Sequence, residues 1–156
     1  RLEQRARNVL LHQLARSAKS THQLRKILEQ REIPSEIAER VLVRFTEVGL
    51  IDDQAYAETI VNSRRNFKGL SKSAIKRELN EKGVPAPFIE QAIESITAED
   101  DLAAAQELAA RRIRQMSSLA KDVRERRLAG YLGRKGYPSS VVFAAIRFAE
   151  SQIEPD

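Results

Sequence analysis

The chain contains no cysteine, no tryptophan and a single methionine among 156 residues. Without cysteine there is no disulfide, no thiolate nucleophile and no thiolate metal site. A reducing compartment suits such a chain, and a cytoplasmic location is expected. Histidine occurs only as His12 and His22, which lie ten residues apart across a turn and lack metal-ligand spacing. The six glycines are scattered, and neither the phosphate-loop pattern nor G-x-G-x-x-G occurs. Aromatic residues make up only 5%, so rows of base-stacking rings are not advertised. No apolar run approaches the roughly 20 residues of a membrane span, and there is no signal-peptide core. No cofactor, no metal site, no enzymatic activity and no membrane contact are expected.

Charge is plentiful and unevenly placed. Lys and Arg total 27 against 22 Asp and Glu, a net +5. Between Arg64 and Lys82 seven basic residues face two acids, and between Arg111 and Arg127 the ratio is the same. The rest of the chain is acidic on balance, notably at Glu90, Glu94, Glu99, Asp100 and Asp101. Such clustering points to a polyanion or an acidic protein surface as partner.

The dominant pattern is a repeat of about fifty residues. Aligned on Pro34, Pro85 and Pro138, the chain repeats at offsets of 51 and 53. Apolar residues recur in fixed columns: Leu24, Ile75 and Leu128; Leu28, Leu79 and Leu132; Ile37, Phe88 and Val141; Leu42, Ile93 and Ile146. Within each repeat the apolar spacing is helical, and nowhere does it alternate as a strand requires. The expected fold is all-α, three tandem three-helix repeats at 1–50, 51–97 and 98–156. Stacked, such repeats share one core in an elongated, curved body. Helices are expected at 4–16, 21–31, 36–48, 53–67, 72–82, 87–96, 98–116, 121–135 and 140–151.

Start and stop signals support these boundaries. Ser20 with Gln23 forms a capping box, Ser71 is the matching cap, and Thr97 with Asp100 opens the third repeat. Gly49, Gly69, Gly83 and Gly136 are expected structural positions in turns that end helices. Glu32 stands in the column of Gly83 and Gly136, so the first repeat is expected to turn differently. Ser35, Ala86 and Ser139 are expected as N-caps after these turns. Asp52 and Asp53 could be read as an acid pair for chemistry, but directly after a Gly turn they read as a helix cap and a dipole charge. Phe45, Phe88 and Phe143 fall on apolar faces and are expected in the core.

The stretch GLIDDQAYAETIVNSRR, continued by FKGLSKSAIKRELNEKGV, resembles the central block of the RecX family of recombinase regulators. The resemblance rests on Asp52, Asp53, Arg64, Gly69, Ile75, Leu79, Lys82 and Gly83. RLAGYLGRKGY resembles the family's closing motif, with Lys135 in place of Arg before Gly136 and Tyr137. SAKSTHQLRKIL resembles its opening motif, with Gln23 where Glu is usual. The resemblance spans essentially the whole chain, in order.

What it implies is a regulator that binds the RecA filament on DNA. It implies inhibition of recombinase, ATPase and coprotease activities in recombination, DNA repair and the SOS response. The candidate contacts to RecA or DNA are Arg25, Lys26, Arg64, Arg65, Lys68, Lys72, Lys76, Arg77, Lys82 and Arg134. Arg25 and Lys26 occupy the columns of Lys76 and Arg77, whereas the third repeat has Ala129 and Gly130 there. The basic surface could also meet single- or double-stranded DNA, and the chain is expected to act as a monomer. A second reading is a helical DNA-binding regulator that acts without RecA.

Overall fold

The computed structural model describes residues 1–153, so the last three residues of the third repeat lie outside the described part. Its elements are α1 (Leu2–Arg16), α2 (Thr21–Gln30), α3 (Ser35–Glu47), α4 (Asp53–Lys68) and α5 (Lys72–Glu81). They continue as α6 (Ala86–Ile93), α7 (Ala98–Ile113) with a 3-10 turn (Arg114–Met116), α8 (Lys121–Arg134) and α9 (Ser139–Gln152). No strand occurs among the described residues. Every expected helix is present.

Local chemistry explains the starts. Ser20 Oγ accepts from the Gln23 N–H at 3.2 Å, and the Gln23 side chain accepts from the Ser20 N–H at 2.9 Å. Thr97 and Asp100 close the same box, at 3.0 and 2.9 Å. Ser71 and Asp52 accept from Ala74 and Ala55, each at 3.0 Å. Ser35, Ala86 and Ser139, however, are first helical residues and not caps. The residues before them open those helices: the carbonyls of Pro34, Pro85 and Pro138 accept from Ala38, Ile89 and Val142 at 2.9, 3.1 and 2.9 Å. Proline is tolerated there because a helix start has no use for the missing N–H.

The repeat columns form the cores. Leu24, Ile75 and Leu128 are fully buried, as are Leu28, Leu79 and Leu132. Fully burying a Leu or Ile side chain contributes roughly 1.5–3 kcal/mol, so these six positions carry much of the packing. Phe45 is buried, but Phe88 and Phe143 are 37% and 70% exposed and do not belong to the core. On α9 the buried stripe runs through Ala145, Ile146 and Ala149, and Phe143 lies outside it.

The described residues form two compact units, which do not follow the repeat boundaries: 1–60 with 78–92, and 61–77 with the chain from Ile93 onward. In the first, α1, α2 and α3 pack pairwise around Leu10, Leu24, Leu28, Leu42 and Phe45. In the second, α7 and α9 meet through Ala105, Ala109, Ala145 and Ala149, and α8 adds Leu128 and Leu132. Small side chains on both helices allow their backbones to approach closely.

The three α2-like helices end alike. Ile33, Val84 and Tyr137 donate their N–H groups back to Leu28, Leu79 and Leu132 at 3.0, 3.1 and 3.3 Å. The residue before each has positive φ: Glu32 at 62°, Gly83 at 74° and Gly136 at 93°. The first repeat therefore turns as the others do, with glutamate in the left-handed conformation.

The same joint occurs once in each unit. In the first, the buried Ser20 hydroxyl donates to the Lys82 carbonyl at 2.6 Å, and the Thr21 N–H donates to Asp53 at 2.8 Å. In the second, the buried Ser71 hydroxyl donates to the Gly136 carbonyl at 2.8 Å, and the Lys72 N–H donates to Asp101 at 3.2 Å. Each serine thus caps its own helix and docks the helix end of the following repeat. A Cβ at Gly83 would overlap His22, and one at Gly136 would lie 2.6 Å from both Ala74 Cβ and Ser71 Oγ. Glycine is favoured there by φ and required for room.

Candidate functional site

The ten candidate cations divide by what their side chains touch. Arg65 lies deep: its guanidinium meets Asp101 at 2.6 Å and the Leu70 carbonyl at 3.1 Å. Lys72 Nζ donates to the Ile96 carbonyl at 2.8 Å, and the Lys72 backbone is held by the same Asp101. These two do converge, but on an internal carboxylate at the α5 N-terminus. Lys82 is half-buried and lies 3.5 Å from Glu78, one turn earlier on α5. Arg25 makes a bidentate pair with Glu39, at 2.6 and 3.1 Å. That hydrogen bond holds Glu39 below the usual carboxylate range and raises Arg25. Both side chains remain nearly half exposed, so the pair contributes little to stability.

The others offer more charge to solvent. Lys26, Lys68, Lys76, Arg77 and Arg134 are exposed, and Arg64 is half-buried beside Ser63. Arg134 folds back along α8, its guanidinium lying over Gly130. Lys26 and Arg77 form no ion pair among the described residues. Lys68 and Arg134 likewise form none. The part of the α2 and α5 basic surface that no ion pair offsets among the described residues therefore lies at Lys26 and Arg77.

The structural candidates have concrete duties. Gly49 and Gly69 take φ of 82° and 64° after α3 and α4. Asp52 caps α4, and Asp53 places its carboxylate at the start of α2. The Lys135-Gly136-Tyr137 motif is a clamp within its unit. Lys135 Nζ donates to the Lys68 carbonyl at 2.7 Å, Gly136 receives Ser71, and the Tyr137 hydroxyl donates to the Gly69 carbonyl at 2.8 Å. Burial pushes the Tyr137 phenol up to about 12.

Sequence reasoning missed two features. One is the Arg124–Glu150 pair, bidentate at 3.0 and 2.7 Å and nearly buried, with Arg124 also donating to the Leu119 carbonyl. Its only sequence signal is that Arg124 stands in the column of Ser20 and Ser71. The other is Phe67, which is 87% exposed at the end of α4 amid basic residues. The run RRNFK carries that signal.

Three-helix repeats joined by serine caps and bearing cationic helix faces define a helical-repeat protein, with no cluster of metal-ligating side chains among the described residues. No helix among those residues is long and apolar enough to cross a membrane. The chain belongs to the RecX family. It matches the first RecX three-helix domain at residues 6–45, the second at 52–93 and the third at 99–146. It is 42% identical over 146 residues to Regulatory protein RecX of Streptomyces coelicolor, covering 94% of this chain and 78% of that one. With Regulatory protein RecX of Thermobifida fusca the identity is 37% over 143 residues, covering 92% and 77%. The crystal structure of RecX from Lactobacillus salivarius superposes with a TM-score of 0.81 over 96% of this chain and 97% of that one, at 19% identity. A second crystal structure of regulatory protein RecX gives 0.74 over 90% and 69%, at 27% identity.

Proposed function

We propose that the chain binds the RecA filament on DNA and lowers its recombinase, ATPase and coprotease activities. The observation that carries this reading is the ordered match of all three repeats to the RecX family. The three repeats, 1–50, 51–97 and 98–156, are its modules. Among the candidate contacts, Lys26 and Arg77 present charge outward from equivalent helix positions, where they can meet an acidic protein surface. Arg25, Arg64, Lys68, Lys76 and Arg134 are the further candidate contacts. Arg65, Lys72 and Lys82 act chiefly in holding the fold, with their charge reaching the partner as field more than contact.

No bond-making chemistry is needed. A protein that binds one filament state more tightly than another shifts the population toward it, by as much as its affinities differ. The test is RecA ATP hydrolysis on single-stranded DNA, with RecA from the same source, titrated with this chain. Turnover is expected to fall as the chain approaches saturation. Unchanged turnover at saturation refutes the reading.

A further inference from the structure

The cleft between the end of α4 and the faces of α7 and α8 has the components of a nucleotide site. Its volume is about 520 Å³, within the roughly 300–1,000 Å³ range of ligand pockets. Ala104, Leu108 and Gly69 supply its small and apolar wall. Arg65, Lys68, Arg111 and Lys135 line it, with Glu107 as the acid among the lining residues. The Arg65 charge is matched by Asp101 at 2.6 Å. That leaves Lys68, Arg111 and Lys135 against the single charge of Glu107, a net cationic surplus, and neither Lys68 nor Arg111 forms an ion pair among the described residues.

Two aromatic rings line the same cleft, in opposite conditions. Tyr131 is already covered: the Arg112 guanidinium lies 4.5 Å from its ring centre and the Lys135 ammonium 5.2 Å. Phe67 is bare, 87% exposed. A single exposed apolar residue needs no explanation by itself. An open ring beside unneutralised cations does have one ligand chemistry that uses both, a flat base attached to a phosphate chain.

We propose that this cleft binds single-stranded nucleic acid, with one base stacked on Phe67 and the adjoining phosphates on Lys68, Arg111 and Lys135. The site goes beyond filament binding, because it concerns contact with the nucleic acid itself. Stacking is indifferent to base identity, so little sequence preference follows. The clamp of Lys135 on the Lys68 carbonyl, at 2.7 Å, fixes one of these cations at the cleft.

The absence of native tryptophan makes the test direct. Phe67→Trp places one indole at the site without touching the core. Titration with dT20 and with rU20, in the absence of RecA, is expected to quench its fluorescence. Quenching by both oligomers, or by one, supports the site and says whether DNA, RNA or either is the source. In the unlabelled chain, Phe67→Ala is expected to weaken binding roughly 5- to 100-fold while Phe67→Tyr retains it. Lys68→Ala and Arg111→Ala should each lower the slope of log K against log salt by about 0.7. Thermal denaturation confirms that the variants fold. Quenching by neither oligomer overturns the proposal, as does equal quenching by poly-glutamate or wild-type affinity in Phe67→Ala. Because RecA is absent, this failure is separate from any failure of the ATPase experiment.

Discussion

At φ of 62° Glu32 occupies backbone space that the other two repeats give to glycine. A side chain in that region costs about 1 kcal/mol or more, from the contact of Cβ with the adjoining carbonyl. Glu32→Gly should therefore raise stability by about 0.5–1 kcal/mol in urea denaturation, reduced somewhat by the added freedom of the unfolded chain. Tyr137 offers a pH test. Its phenol titrates near 10 when unfolded and about 12 in the fold, because burial disfavours the charged form. The neutral phenol's stabilisation is complete below about pH 10 and disappears as pH rises from there through 12, a loss of at most roughly 2.7 kcal/mol. Tyr137→Phe should be less stable at pH 7 by about 1 kcal/mol, for the hydrogen bond to Gly69, and should lack this alkaline component. Equal alkaline slopes in the two proteins would refute it.

At the scale of the element, the helices were legible in the sequence because caps and apolar spacing are local. Ser20 with Gln23 needed only neighbours along the chain, and the column of Leu24, Ile75 and Leu128 shows in the fixed offsets of the repeat. The joints were not legible. Ser20 meets Lys82 across 62 positions and Ser71 meets Gly136 across 65, and no periodicity reports a hydrogen bond over that span. The same limit governs the cations. The sequence offers Arg65 and Lys72 as candidate cations, but only the fold brings Asp101 between them. Gly83 tests the joint: Gly83→Val should destabilise by about 2–4 kcal/mol, from positive φ and overlap with His22 together. Gly49→Ala has the φ penalty without a neighbour within 4 Å, so its loss should be about 1 kcal/mol. Equal losses, measured by chemical denaturation, would mean that the close approach carries no weight.

For the whole molecule, the net +5 is less informative than its exposed part. Lys26→Glu combined with Arg77→Glu alters exposed charges that hold no ion pair among the described residues. The double variant should keep its thermal midpoint within about 2 °C, as surface changes usually do. Its inhibition of RecA ATP hydrolysis should need at least tenfold more protein, and the deficit should shrink as salt rises. Full potency in the double variant would remove these residues from the interface.

The joint also orders the repeats. The first carries the docking serine, Ser20, but has Glu32 where a partner serine would require glycine. The second carries both halves, Ser71 and Gly83. The third has Gly136 but Arg124 in the serine column, committed to Glu150. Read as punctuation, the modules are an opening, a middle and a stop. A gene that copied its middle module would keep every junction it needs. Copying the first would set a serine cap against the glutamate side chain, and copying the last would ask an occupied arginine to dock. On these junctions, the chain can lengthen by a copy of its middle module, residues 51–97.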